Sequence, residues 1–285
     1  MEEFRVTSEP GIEIYVRNKH PAGVSKFASD KTLVYVHGAT YPSETAFDLQ
    51  LGGFSWMDYI AQRGYDVYLL DVRGYGQSTR PAQMQRPPTE SPPFATTQDA
   101  MRDVDAVVEF VKKRRGIDKV NLLGWSWGTA TMQWYTSLNS HKVEKLVLFA
   151  PVWIRQTASL VQAGPGPIPA YRSVNMAQAK ARWLTGVPEN KKADLIPPGW
   201  FEAWAQATIA TDPQGAAQNP PVLRAPNGVV ADGQKYWANG VIPWKPEDIK
   251  VPVLLIKAEW DQDTPAYMAQ NLFPKLTGAP YKRYV

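Results

Sequence analysis

Gly124-Trp125-Ser126-Trp127-Gly128 follows an apolar run, Val120-Asn121-Leu122-Leu123, and precedes a helix-like segment, Thr129–Tyr135. A Gly-x-Ser-x-Gly pentapeptide between a strand and a helix is a turn of unusual tightness. Side chains two before and two after the serine would collide there, and glycine occupies both places. The turn strains the backbone at the serine and pushes its hydroxyl out at the end of a sheet, where a base and a substrate can reach it. The chain is thereby constrained to a buried strand that feeds directly into a helix.

The flanking sequence supplies more elements of the same kind. Phe4–Ser8 and Ile12–Arg17 alternate around Pro10-Gly11 and read as a hairpin. Thr32–Val36 and Asp66–Leu70 are nearly continuous apolar runs, as expected of strands buried on both faces. Ala100, Met101, Val104, Val107, Val108 and Val111 recur at helical spacing. Thr96 or Thr97 can cap that helix, Asp99 falls in its first turn, and Gly116 follows its end. Val143–Phe149 reads as another buried strand. Strands alternating with helices predict a mostly parallel sheet with helices on both faces.

The alternation stops at residue 154 and resumes at Val251–Ile256. The intervening segment is rich in Trp, Pro, Ala and Gln, has no comparable strand, and carries helical pieces at Met176–Leu184 and Gly199–Ala207. A long insertion between two sheet strands reads as a cap over the sheet's carboxyl edge, where open α/β sheets place their sites. The expected division is a core at 1–153, a cap at 154–246 and the remainder of the core at 247–285.

Charge and composition exclude several roles. The 31 basic and 27 acidic residues nearly balance, and their scatter argues against nucleic acid as a partner. The dense run Lys112-Lys113-Arg114-Arg115 ends a helical pattern and reads as a solvated helix end that complements the helix dipole. No cysteine is present, which excludes disulfides and thiolate metal sites. The Gly74/Gly76 loop lacks both GxGxxG and a P-loop lysine, and no His/Asp/Glu cluster has metal-ligand spacing, so neither cofactor nor metal is expected. Met1-Glu2-Glu3-Phe4 does not begin a signal peptide, and no apolar run approaches the ~18–20 residues of a membrane span, so a cytoplasmic protein is expected.

Four motifs occur in order: His37-Gly38, Asp71-x-Arg73-Gly74-x-Gly76-x-Ser78, the pentapeptide 124–128, and Glu259-Trp260-Asp261-x-x-x-Pro265. With them the chain resembles the α/β-hydrolase superfamily, over essentially everything outside the cap. Within it, His37–Pro42 together with the pentapeptide looks like bacterial serine esterase or lysophospholipase-like hydrolases. The resemblance implies a Ser-His-Asp acyl-enzyme mechanism with Ser126 as nucleophile. Serine, rather than the aspartate found at the elbow of epoxide- and halide-cleaving members, points to acyl transfer. The backbone N–H of Trp127 is one expected oxyanion donor, and that of Ala39 the second, with Thr40 as the fallback. Glu259, Asp261 and Asp263 all follow the strand 251–256. Asp261 is chosen as the acid because the family places it four residues before the proline, whereas Asp263 with Thr264 can cap the helix beginning at Pro265.

The base departs from the family pattern. His37 belongs to the oxyanion loop, His20 lies beyond the opening hairpin and reads as exposed, and His141 lies on the edge opposite the site. In the family the base follows the last strand, which here begins at Tyr281–Val285, and a final helix follows. The last strand and helix are therefore expected to be truncated, with the histidine beyond residue 285. Trp153, Trp183, Trp200, Trp204, Trp237 and Trp244 fall in or beside the cap and suit an apolar pocket. Thr40, Trp125 and Trp153 are expected to contact substrate. The resulting expectation is a hydrolase of a carboxylic ester with an apolar acyl or aromatic group. The alternatives are an amide, lactone or C–C bond hydrolase using the same residues, or a non-catalytic fold that binds an apolar ligand.

Overall fold

A computed structural model describes all 285 residues. Ten strands and ten helices follow one another in mixed order. The strands are β1 (Glu2–Glu9), β2 (Ile12–Lys19), β3 (Thr32–Val36), β4 (Asp66–Leu70), β5 (Val120–Trp125), β6 (Val143–Phe149), β7 (Tyr171–Val174), β8 (Leu223–Pro226), β9 (Val253–Ile256) and β10 (Lys282–Tyr284). The helices are α1 (Ser43–Phe47), α2 (Trp56–Ala61), α3 (Thr97–Arg115), α4 (Trp127–Asn139), α5 (Met176–Trp183), α6 (Glu189–Leu195), α7 (Trp200–Ala210), α8 (Pro213–Ala216), α9 (Gly228–Lys235) and α10 (Ala266–Leu272). No helix is long and apolar enough to cross a membrane.

Eight strands form one sheet in the order β1-β2-β4-β3-β5-β6-β9-β10. β2 runs antiparallel to both β1 and β4, and every other neighbouring pair is parallel. Successive side chains on a strand point to opposite faces, and this divides the core in two. Val34, Val36, Tyr68 and Leu70 join the valines of α3, the inner face of α4 and Met268 of α10 in the larger cluster. Leu33, Tyr35, Val67 and Leu69 meet Phe47 of α1 and Met57 of α2 on the other face. All five residues of β3 and of β4 are buried, as their apolar runs require.

Local signals place α3 closely. Thr96, not Thr97, is the cap: its hydroxyl accepts from Asp99 N–H while the Asp99 carboxylate accepts from Thr96 N–H. Gly116 closes the helix in the left-handed conformation.

Several expectations are corrected. β6 is only half buried: Glu144, Val147 and Phe149 remain partly exposed and Lys145 exposed, because α1 packs chiefly on β4 and α2 on β2 and β4, and α2 reaches β6 through Trp56, edge-on to Phe149. The basic run at the end of α3 is not wholly solvated. Arg115 Nε donates to buried Asp66 at 2.7 Å, and its guanidinium stacks on Phe27. His20 is half-buried, against Phe27. The segment between β6 and β9 does contain strands: β7 and β8 form a separate antiparallel pair of four residues each. That segment also carries α5 to α9.

Candidate active site

Ser126 adopts φ 53°, ψ −120°, a region that non-glycine residues rarely occupy. The flanking glycines explain how the chain tolerates it. A Cβ on Gly124 would collide with the carbonyl of Gly128, and one on Gly128 would lie 2.6 Å from the His37 carbonyl and 2.7 Å from that of Val36. The His37-Gly38 loop packs onto the elbow in turn, since a Cβ on Gly38 would meet Ser126 Cβ at 2.9 Å. The sequence signal and the backbone geometry thus describe one object, a strand–turn–helix whose close approaches admit only glycine.

Two cavities meet at Ser126. The larger, about 660 Å³, is mostly apolar, and its walls include Tyr41, Trp125, Phe149, Trp183, Trp200 and Trp260. The smaller, about 250 Å³, is more polar, with Arg155, Thr157, Ser159 and Gln234 among its residues. Ala39 and Asp263 also border both. The backbone N–H groups of Ala39 and Trp127 find no acceptor within the protein. At Trp127 this follows from its position at the first turn of α4, where helical N–H groups have no partner in the helix. The Trp127 ring is buried, with Nε1 donating to Thr97 Oγ1 at 3.0 Å.

The loop after β9 carries all three candidate acids, and each lines the larger cavity. They differ in what holds them. Glu259 is exposed. Asp261 is anchored by its own loop: Oδ1 accepts from the N–H groups of Asp263 (2.8 Å) and Thr264 (3.1 Å), and Oδ2 from Thr264 Oγ1 (2.6 Å). Asp263 does not cap the following helix, whose N-cap is Pro265 without a side-chain bond. Its carboxylate is taken by Arg182 of α5, with Nε 2.6 Å from Oδ2.

None of the three histidines borders either cavity. His37 is fully buried and both ring nitrogens are engaged. Val72 N–H donates to Nε2 at 3.0 Å, so Nδ1 carries the proton and donates to the Gly38 carbonyl at 2.7 Å. Burial pushes its pKa down to about 4, which keeps it neutral and unable to act as a base for Ser126. His141 is exposed in the turn between α4 and β6.

Two of the expected substrate contacts lie elsewhere. Trp153 is buried in the core against Trp244, and a neighbouring stack pairs Trp244 with Trp134. Thr40 is buried too, its hydroxyl turned toward Arg172 and Arg182 rather than into a cavity. Sequence reasoning missed these arginines because each stands alone, without a motif. No cluster of three or more His, Cys, Asp or Glu side chains is disposed to hold a metal ion.

A family model described as the alpha/beta hydrolase fold matches residues 31–275. Among curated proteins, gastric triacylglycerol lipase of Rattus norvegicus is 27% identical over 155 residues, which are 53% of this chain and 39% of the lipase. The chain thus spans about two-fifths of the length of that relative. Among solved structures, a serine hydrolase from the polyaromatic-hydrocarbon-degrading bacterium Cycloclasticus zankles superposes with TM-score 0.67 at 13% identity, covering 100% of this chain and 89% of that one. A hydrolase from Pseudomonas aeruginosa superposes with TM-score 0.61 at 18% identity, covering 99% and 89%. At these identities the likeness to the two structures is one of fold.

Proposed function

Because this chain belongs to the α/β-hydrolase fold family, we propose that it is a serine hydrolase that cleaves a carboxylic ester with an apolar acyl or aromatic group. The observation that carries this reading is Ser126 itself, held in a strained elbow where an apolar and a polar cavity meet, beside two unpaired backbone donors.

In this mechanism Ser126 Oγ attacks the ester carbonyl and loses its proton to an imidazole. The N–H groups of Ala39 and Trp127 hold the oxyanion, a contribution of about 10²–10³ in rate for each such donor. The protonated imidazole passes its proton to the departing alcohol, leaving an acyl-Ser126 ester. Water, deprotonated by the same imidazole, then releases the acid. Asp261 orients the imidazole: its carboxylate is fixed by its own loop, whereas Asp263 binds Arg182 through Oδ2 and leaves Oδ1 without a partner. His20, His37 and His141 border neither cavity, so in this reading none of them supplies the imidazole. The apolar walls of the larger cavity take the acyl group. The segment 154–246 acts as a cap that completes those walls. An amide, lactone or C–C bond would be cleaved by the same residues.

A second reading follows from the histidine geometry: a hydrolase fold that binds an apolar ligand without turning it over. Both are tested by hydrolysis of p-nitrophenyl esters of graded chain length, together with fluorophosphonate labelling, for the wild type and Ser126→Ala. Hydrolysis and a single label that both vanish in Ser126→Ala support the enzyme. Full activity in Ser126→Ala overturns it. Tight ligand binding with neither hydrolysis nor label supports the second reading.

A further inference from the structure

Arg172 stands on β7, in the segment inserted between β6 and β9, yet its guanidinium reaches the oxyanion loop of the sheet. It is buried, with 9% of the residue exposed. Its hydrogen bonds all go to neutral oxygens: Nη1 donates to the Pro226 carbonyl (2.8 Å) and to Asn227 Oδ1 (3.1 Å), and Nη2 to Thr40 Oγ1 (2.5 Å). A guanidinium stays charged at any physiological pH, and a buried cation without a paired carboxylate is costly. The nearby Arg182, which also donates to Thr40 Oγ1 at 3.3 Å, is by contrast neutralised by Asp263.

Thr40 is the residue next to Ala39. It holds φ 89°, a left-handed conformation that is strained for a β-branched side chain and persists only where its surroundings over-determine it. The two arginine contacts on Oγ1 supply that determination. They fix the peptide chain one residue from the Ala39 N–H, and of the two cations Arg172 is the one without a paired carboxylate.

We propose that Arg172, acting through Thr40, is a positioning residue for acyl transfer. It holds the oxyanion loop in its strained conformation, so that Ala39 N–H points at the developing anion, and its uncompensated charge favours that anion over the neutral ground-state carbonyl. The inserted segment is then more than a roof, because it carries part of the electrostatic machinery of the core. This inference rests on the hydrolase reading of Ser126. It adds a specific role for a residue that touches neither substrate nor nucleophile.

The test compares wild type, Arg172→Lys, Arg172→Met, Thr40→Val and the double variant Arg172→Met/Thr40→Val in the full chain. Each is measured for kcat and KM on a short neutral p-nitrophenyl ester, for the rate of fluorophosphonate labelling, and for melting temperature. Misdirecting one oxyanion donor lowers kcat in Arg172→Met by about 10- to 100-fold. KM stays within about twofold because the ground state is little affected. The labelling rate falls in proportion, Arg172→Lys recovers part of the loss, and the double variant is no worse than the poorer single one. If Arg172→Met does not fold, Thr40→Val and Arg172→Lys carry the same comparison. A lower melting temperature with unchanged kcat in the folded variants means a purely structural tie and overturns the inference alone. A wild type that neither hydrolyses any ester nor takes the label overturns the hydrolase reading and this inference with it.

Discussion

Arg182 of α5 and Asp263 of the loop after β9 are paired at 2.6 Å, Nε to Oδ2, with about a fifth of each side chain exposed. The pair fastens the segment 154–246 to the loop that carries Asp261. The same guanidinium reaches Thr40 Oγ1 at 3.3 Å. One side chain of the inserted segment therefore holds both loops that flank Ser126.

Breaking this tie is expected to loosen the site more than the fold. A partly exposed ion pair contributes about 1 kcal/mol or less, so Arg182→Met should lower the melting temperature by only a few degrees. Arg182 also lines the larger cavity, and a loosened wall should raise KM for long-chain esters several-fold. A double-mutant cycle with Asp263→Asn checks the assignment. Coupling of about 0.5 kcal/mol or more is expected, and strict additivity would show that the pair holds nothing together.

The glycines of the elbow make the opposite prediction, in which the fold fails first. In Gly128→Ala the added Cβ meets backbone on two sides, the carbonyls of His37 and Val36, and backbone cannot yield as a side chain can. A loss of about 2–4 kcal/mol is expected, measured by urea unfolding. Gly53→Ala is the control for Cβ bulk: a Cβ there would have nothing within 4 Å, and only the strain of its positive φ remains, about 1 kcal/mol.

The elements most legible in the sequence are those whose burial is simplest. β3 and β4 are covered on both faces, so Thr32–Val36 and Asp66–Leu70 show as apolar runs with matching ends. β7 and β8 were invisible for a physical reason. Each is four residues long and carries an inward arginine, Arg172 or Arg224, which breaks any apolar pattern. Their partners lie outside the strands: Asp212 Oδ1 lies 2.6 Å from Arg224 Nη2, and Arg172 donates to the neutral hydroxyl of Thr40, 132 residues away. The order of the four motifs pointed to the elbow and to the loop after β9 that lines the larger cavity. It could not separate a tryptophan that lines the cavity, such as Trp200, from one buried in the core, such as Trp153, because both are aromatic and both lie in or beside the insertion.

That separation predicts two different phenotypes for one kind of substitution. Trp200 is 39% exposed at the wall of the larger cavity, whereas Trp153 is 2% exposed within the core. Trp200→Ala should leave stability within about 1 kcal/mol and lower kcat/KM for long acyl chains relative to short ones by about 10-fold, the effect of one or two lost methylene contacts. Trp153→Ala should instead cost about 3–5 kcal/mol with chain-length preference unchanged in whatever protein remains folded. Unfolding curves and an ester series of graded length distinguish the two.

The buried histidine gives a pH dependence that is independent of catalysis. Burial holds His37 at a pKa of about 4 in the folded protein, against about 6.5 in the unfolded chain. The folded state therefore favours the neutral ring, whose two nitrogens are bonded to Val72 N–H and the Gly38 carbonyl. Between these two pKa values the unfolded state binds more protons, so stability rises with pH there. The contribution is complete above about pH 6.5 and is lost progressively as pH falls toward about 4. From pH 7.5 to pH 5 this amounts to roughly 2 kcal/mol. Urea unfolding of the wild type and of His37→Asn at both pH values isolates it. The wild type should lose about 2 kcal/mol more than the variant on acidification, even though the variant starts from lower stability at pH 7.5. Equal losses in both proteins would mean that other groups govern the acid limb and that His37 is not held neutral by its burial.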